Sequence, residues 1–409
     1  MANAFVVTDL VANETLRIAH EKLAFIGTID RQFDESFKLK GSNPHGATLR
    51  VKSPNQYTRR TGNAMAVQAQ SEASQTITVA TLDGVDMGFT HSELVQSVAN
   101  DGAFDDLSRN YIQPAVSSLL SAIESDCIAF MTKATYNVAG TAGTGLTDLV
   151  VPGAARAKLN QQLAPKDGLR YIMCDSVAMG GIVNGLKGLF HDSTQIKEQY
   201  REGMMGRTSM ADWYENDRMW TMVNTGDVAG ELNLGAGVNL ASGATSLTMD
   251  GVTVAPVAGM VFTIEGTYDV HPETKAAYPH LKQFVVGTGS TTTNLVFTPA
   301  AIYDTTNPRQ NCSGAPTDND DITFVGALST NYVQQLMYHR DAYQFITAEL
   351  PIMGDANKCS RVTKDGMSVR VWQGSDIRNN ELLMRIDILY GFAALRPEWG
   401  CRMIGAANA

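Results

Sequence analysis

Met384-Arg-Ile-Asp-Ile-Leu-Tyr-Gly-Phe-Ala-Ala-Leu-Arg-Pro-Glu398 is the stretch on which the reading of this chain turns. With the three residues before it, it predicts a long apolar strand over Glu381–Tyr390. Just upstream, Ser368–Val371 reads as another strand, while Tyr332–Met337 has helical potential. Further back the pattern changes sharply. From Gly226 to Asn307 Thr, Val and Gly dominate, and short strands read at Ser246–Met249, Met260–Ile264, Gln283–Val286 and Asn294–Thr298. Gly- and Pro-bearing turns at short intervals separate them, which predicts a small all-β module. Mixed patterning resumes afterwards, so the module reads as an insertion.

Before the module the chain is mixed α and β. A short helix reads at Ala154–Leu163, a strand at Leu169–Met173 and a helical stretch at Ser176–Leu189, after a Gly/Thr-rich turn over Gly140–Gly145. The strongest helix is Pro114–Lys133. Val116, Leu119, Leu120, Ile123, Cys127, Phe130 and Met131 form one stripe at helical spacing, and Pro114 suits a first turn. At about 1.5 Å per residue it spans roughly 30 Å, enough to brace a domain. Its Cys and Met read as core packing.

Two period-two strands, Thr48–Ser53 and Gln75–Leu82, flank a long polar tip that runs from Pro54 to Ser74. Such an extended hairpin has little apolar content at its tip and no core of its own, so it lies on something else. Arg50, Lys52, Arg59 and Arg60 make it locally basic. Two readings stand: a solvated loop, or an arm docked on an acidic neighbouring subunit. A first helix reads from about Asp9 to Ile29, with Leu16, Ala19, Leu23 and Ile26 at helical spacing and Gly27 as terminator. It packs either on its own body or in a subunit contact.

The chain has 409 residues, 44% hydrophobic and only 18% charged, with a net charge of −10 from 32 Lys and Arg against 42 Asp and Glu. That balance opposes a protein built to grip nucleic acid, which needs dense Lys and Arg, and it opposes disorder. Five widely spaced cysteines without a CxxC pair (Cys127, Cys174, Cys312, Cys359, Cys401) imply a reducing compartment rather than a disulfide framework or zinc site. No signal peptide and no long apolar run are legible, so a soluble cytosolic chain without a membrane span is expected.

Catalytic motifs fail one by one. Gly180-Gly-Ile-Val-Asn-Gly185 has phosphate-loop spacing, but Leu186 stands where the lysine must be. Gly140, Gly143 and Gly145 do not match a dinucleotide fingerprint, and neither a nucleophile elbow nor a zinc-protease helix occurs. His20, His45, His91, His191, His271, His280 and His339 share no metal-ligand spacing. Asp318-Asn-Asp-Asp321 lacks the glycine and distal glutamate of a calcium loop and reads as a solvated turn. An enzyme is not expected, nor are catalytic, metal or cofactor sites.

The Met384–Glu398 strip resembles the end of the major coat protein of short-tailed, double-stranded-DNA bacteriophages, in the Salmonella podovirus branch whose coat protein carries a β-barrel-like insertion domain. Tyr171-Ile-Met173 and then Gln199-Tyr-Arg-Glu-Gly203 resemble the family's strand and turn. Met210–Asn216 falls where the family chain leads towards its insertion, and Asn311–Gly326 where it returns. The resemblance spans nearly the whole chain, with identity sparse away from the C-terminal strip. It implies an α+β, Hong Kong-97-type capsid fold: an N-terminal arm at 1–36, an E-loop region at 37–90, and a spine helix with peripheral domain at 91–170. The axial domain would comprise 171–225 and 326–409, interrupted by an all-β insertion domain at 226–325.

The implied function is a self-assembling structural protein of the virion, forming pentamers and hexamers in an icosahedral capsid around the phage genome. In this fold the E-loop lies on the adjacent subunit, which makes Arg50, Lys52, Arg59 and Arg60 the expected subunit-contact residues. Implied partners are a scaffolding protein during assembly in the host cytoplasm, a portal protein at one vertex and a possible decoration protein, with no membrane and no sequence-specific DNA contact. An encapsulin-like cellular compartment is the alternative on the same fold. One departure stands out: the family's insertion carries a long charged loop that reaches a neighbouring capsomer, whereas Gly230–Ser242 is short and nearly uncharged. The polar stretch Asp269–His280 reads as an ordinary connection or as a docking loop for another capsid component.

Overall fold

A computed structural model describes residues 7–31, 48–57, 59–60, 62–65, 67, 74–90, 111–186, 206–235, 238–352, 358–364 and 366–407. Along the chain come α1 (Val7–Lys22), α2 (Ala24–Thr28), β1 (Asp30–Arg31), β2 (Thr48–Lys52), β3 (Ser74–Thr78) and β4 (Thr81–Thr90). Then follow α3 (Gln113–Ala134), β5 (Val138–Ala139), α4 (Val150–Gln161), β6 (Arg170–Cys174) and α5 (Ser176–Leu186). Next are β7 (Arg207–Thr208), β8 (Ala211–Glu215), β9 (Thr221–Val223), β10 (Ala229–Leu232), β11 (Ala244–Asp250) and β12 (Val261–Val270). β13 (Ala277–Val286), β14 (Asn294–Ala301), β15 (Asp321–Phe324), β16 (Asn331–His339) and β17 (Tyr343–Ala348) continue the run. β18 (Lys358–Lys364), β19 (Met367–Asp376), β20 (Glu381–Ala394) and β21 (Gly400–Ala407) complete a mixed α+β chain. The Gln199–Gly203 turn, part of the 37–90 region and residues 91–110 lie outside the described residues.

The chain divides into two compact units, one of residues 1–51, 74–127 and 343–393, the other of 52–73, 128–342 and 394–409. In the first, a sheet runs β1-β17-β20-β19-β18, and β4 pairs with β20 over ten residues from Thr90↔Glu381 to Thr81↔Tyr390. Helix α1 packs across β18 and β19, so it lies on its own body. The single expected helix is broken at Leu23. The reason is distant in sequence: the buried carboxylate of Glu124, on α3, accepts the Phe25 N–H at 2.7 Å. The expected strand Gln75–Leu82 is likewise two strands, β3 pairing with β2 and β4 with β20. Gly391 lies at the crossing, where a Cβ would stand 2.3 Å from the Thr78 carbonyl oxygen.

Helix α3 bears out the helical stripe at Val116, Leu119, Leu120, Ile123, Cys127 and Met131, all buried. Phe130 is a correction: it is 44% exposed, and Ile128 is buried instead. The helix has the length and mean hydropathy of a membrane-crossing segment, but half of that segment is buried and Glu124 is buried within it.

In the second unit a sheet runs β5-β21-β16-β6-β8-β7, with β9 also on β16. Helices α4 and α5 bury Ala155, Leu159, Met179 and Ile182 against Ile172, Trp213, Met337 and Met403 of this sheet. Tyr332–Met337 is strand, not helix. It lies in β16 between β21 and β6, and every residue from Tyr332 to His339 is buried. A surface helix buries only a stripe of such a run, whereas a central strand buries consecutive residues on both faces. Its two amides are met: Gln334 by Arg402 at 3.0 Å, and Gln335 by the Asp175 N–H at 2.8 Å.

Between β9 and β16 the chain closes a six-stranded antiparallel barrel, β10-β11-β14-β13-β12-β15. The expected strands are there, each longer than the pattern suggested. Phe262 anchors the interior, with Phe284 at 5.5 Å, Phe297 at 5.8 Å and Phe324 at 5.6 Å between ring centroids. The barrel leaves and rejoins the sheet at neighbouring strands, since Val223 of β9 is paired with Asn331 of β16.

Candidate functional site

The basic residues of the hairpin all face solvent. Arg50 and Lys52 alternate on β2, and Arg59 and Arg60 stand in the tip. The Arg60 guanidinium donates to the Ala64 carbonyl and closes the tip on itself. Tyr57, Met65 and Val67 are 58%, 84% and 83% exposed, so the tip presents apolar groups beside its cations. Cations and apolar groups thus share one exposed surface.

The motif residues find structural roles. Gly180–Gly185 lies within α5, where no phosphate loop can form. Its glycines answer to packing: a Cβ on Gly181 would stand 2.6 Å from the Leu146 carbonyl oxygen, and one on Gly185 would overlap that of Thr147. Asp318 accepts the Leu234 and Gly235 N–H groups at 2.9 and 3.1 Å, tying two barrel loops. Asp269–His280 is a β-hairpin connection rather than a free loop. His339 is buried with Nε2 3.0 Å from Asp167, while its Nδ1 accepts the Asp341 N–H, which fixes the tautomer. Burial pushes Cys312 and Cys401 up to about 12, and raises Cys127 and Cys174 as well. These sulfurs are thiols at neutral pH, not nucleophiles.

Among the buried charges of the described residues that sequence reasoning missed are three clusters. Arg402, with zero solvent exposure, donates to the carbonyl oxygens of Thr135 and Gly259 at 2.6 Å each, to Gln334 at 3.0 Å and to Lys133 at 3.2 Å. Two of those carbonyls are at the C-terminal end of α3, where the helix dipole favours a cation. Arg402 thereby joins helix end, sheet and barrel within one unit. In the other unit the buried Asp387 on β20 accepts from Arg370 at 2.5 Å and from Arg385 at 3.0 Å. Gly84 lies opposite on β4, where a Cβ would stand 2.7 Å from that carboxylate.

The third cluster holds the barrel to α4. Asp269 takes Lys282 at 2.9 Å and Gln162 at 2.9 Å, with His280 at 3.6 Å. Burial alone would raise the Asp269 carboxyl, but the His280 contact, the Lys282 ammonium and the Val270 N–H outweigh it and hold the carboxyl below its usual range. A charge in an otherwise apolar strand, as at Arg402 and Asp387, was the available signal, since such groups are seldom buried unless paired.

These clusters are buried, whereas the four basic hairpin residues are exposed. Residues 224–405 match the family model described as P22 coat protein, gene protein 5. The match starts after β9, takes in the whole barrel and ends in β21. Among solved structures the chain is similar to one from Mycobacterium phage Che8, at 10% identity and a TM-score of 0.49, covering 93% of this chain and 90% of that one. It is similar to the capsid of the cyanophage P-SCSP1u, at 12% identity and 0.41, covering 88% and 84%. It also matches the mature capsid of bacteriophage PhiM1, at 10% and 0.41, covering 88% and 82%. No curated protein matches the sequence.

Proposed function

We propose that this chain is the major capsid protein of a tailed double-stranded-DNA bacteriophage, a structural subunit that self-assembles into pentamers and hexamers of an icosahedral shell. The observation that carries the reading is the coat-protein match over 224–405, which brackets the barrel together with the strands that follow it. In this reading the barrel is the insertion domain of the Salmonella podovirus branch. Residues 1–36 are the N-terminal arm and 37–90 the E-loop region. The spine helix and peripheral domain fill 91–170, and 171–225 with 326–409 form the axial domain.

The mechanism is repeated heterologous contact, in which one surface of each subunit meets a different surface of the next and closure follows from curvature. The hairpin with Arg50, Lys52, Arg59 and Arg60 supplies one side of that contact. Scaffolding and portal proteins take part during assembly in the host cytoplasm, and the packaged DNA is enclosed without sequence-specific contacts.

The test is negative-stain imaging of the expressed full chain, with and without a co-expressed scaffolding protein from the same gene neighbourhood. Closed shells of uniform size are expected. Small oligomers under both conditions would refute the reading, and shells that load a cellular protein in place of a genome would transfer it to an encapsulin-like compartment.

A further inference from the structure

The sheet of the first unit has two open edges of opposite charge. Over four strands it runs β4-β20-β19-β18, each pair antiparallel. Among the described residues β4 pairs only with β20, and β18 only with β19. The edge strand β4 carries Asp83 and Asp86 and no Lys, Arg or Pro along its ten residues. The edge strand β18 carries Lys358, Arg361 and Lys364 and no acidic residue along its seven. An open edge offers unpaired N–H and C=O groups to any strand that reaches it, and soluble proteins guard such edges with Lys or Pro. β18 is guarded in that way and β4 is not.

We infer that β18 of a second copy of the chain pairs antiparallel with the open edge of β4, joining the sheets of neighbouring subunits edge to edge. This names a subunit contact separate from the β2–β3 hairpin, and it rests on the proposed function only for the facing of the sheets. Charge selects the occupant. Pairing β4 with β4 gathers carboxylates and pairing β18 with β18 gathers cations, whereas β4 with β18 opposes them. Opposite charges across a strand pair stabilise it and like charges do the reverse. Gly88 fits the same contact. A Cβ there would meet only Leu383 Cδ2, at an ordinary 3.5 Å, so packing within the subunit does not require glycine. Glycine in a strand interior often marks a place where another backbone approaches closely.

Spacing selects the register. Asp83 and Asp86 are three residues apart, as are Arg361 and Lys364. Lys364 opposite Asp83 puts Arg361 opposite Asp86, Val362 opposite Val85 and Cys359 opposite Gly88, and it uses all seven residues of β18. The faces then stay continuous. Asp86, Arg385, Trp372 and Cys359 form one row on one face of the sheet. Arg361, two residues from Cys359, lies on that face too. The same face of every copy can therefore point outward, as a closed shell requires. Setting Asp83 opposite Arg361 and Asp86 opposite Lys358 would instead turn each successive sheet over. The charges can serve both roles. Asp86 is 79% exposed and 3.7 Å from Arg385, a weak contact that re-pairs readily. Asp83 accepts the Tyr390 hydroxyl through Oδ2, and a carboxylate accepts at both oxygens. Arg361 binds Glu349 at 2.9 Å and the Leu350 carbonyl at 2.9 Å, and a guanidinium has five N–H groups to donate.

One substitution in the full-length chain tests this: Gly88→Cys, oxidised after assembly, with the native Cys359 as its partner. Within one chain the two positions are three strands apart. At about 4.8 Å per strand that is roughly 14 Å, beyond the Cα separation of about 7 Å that a disulfide spans, so a link between them joins two copies. Covalent ladders from dimer upward on a non-reducing gel are expected, mapped to Cys359 by peptide mass, reversed by reductant and abolished by adding Cys359→Ser. If wild-type shells form but Gly88→Cys stays monomeric, or links to another cysteine, the edge contact fails while the capsid reading stands. If the chain yields only small oligomers that link through Cys359, the contact stands and the capsid reading fails; without that link both fail. Should Gly88→Cys misfold, hydrogen exchange on the wild-type chain decides. Assembly should slow exchange of amides in both β4 and β18 by at least about tenfold, and unchanged exchange at either edge overturns the inference.

Discussion

Arg402 places a permanent positive charge at a point with zero solvent exposure, and its stability depends on how its N–H groups are met. Carbonyl oxygens of Lys133, Thr135 and Gly259 and the Gln334 amide do so. Replacement by Met keeps most of the volume and strands those acceptors. Arg402→Met should therefore lower subunit stability by about 3 kcal/mol, read as a fall in urea midpoint, with Arg402→Lys intermediate because an ammonium cannot fork to the same oxygens. Asp269 poses a question of sign. Its folded carboxyl titrates below the unfolded value, so the unfolded chain binds more protons in acid. The resulting stability is complete above about pH 3.9 and is lost as pH falls through the folded value. Asp269→Asn should flatten that acid limb. At neutral pH it should cost about 3–5 kcal/mol, because Lys282, itself buried, is left without its carboxylate. An unchanged acid limb in the variant would assign the pH dependence to other carboxylates.

Among the elements, strand β20 shows why part of the fold was legible and part was not. Its apolar run announced a strand, and the Thr, Val and Gly pattern announced the barrel, because both signals are local and periodic. The break at Leu23 was hidden because its cause, Glu124, is 99 residues from the Phe25 N–H it accepts. The helical potential of Tyr332–Met337 misled because Gln, Leu and Met favour helices in isolation, while burial on both faces chose a strand. The four basic hairpin residues were legible as an exposed set, since a local run of charge without apolar partners is read directly from the sequence. Gly391 tests the element directly. A methyl group there meets the Thr78 carbonyl and must push β20 off the β3–β4 connection, so Gly391→Ala should destabilise the subunit by about 1–3 kcal/mol. In the barrel, Phe262→Ala removes the ring that three others pack on and should cost about 3–5 kcal/mol. Calorimetry on the full chain reads both. A Phe262→Ala transition matching wild type would mean that the barrel interior repacks around the loss.

Across the whole molecule, charge is distributed unevenly. Residues 226–325 hold ten Asp and Glu against three Lys and Arg, while 48–67 holds four basic residues and no acidic one. Dense phosphate contacts repeated over many subunits would sum to strong, salt-sensitive adhesion to DNA. A predominantly acidic chain avoids that, and in the proposed function its basic hairpin serves protein neighbours instead. Arg59 and Arg60 are exposed, so their replacement by Glu should leave the unfolding midpoint of the subunit nearly unchanged, within about 0.5 kcal/mol. Assembly should respond differently. In the proposed function these two charges lie at a contact repeated on every subunit, where reversal would replace attraction with repulsion, so the yield of closed shells should fall steeply at low ionic strength and recover in part as salt screens the repulsion over about 10 Å at 0.1 M. Arg60 also closes the tip through the Ala64 carbonyl, so Arg59→Glu alone separates charge from tip geometry. Sedimentation of unassembled and assembled protein across a salt series reads both quantities. Normal shell yield from the double variant at low salt would remove Arg59 and Arg60 from the subunit contact.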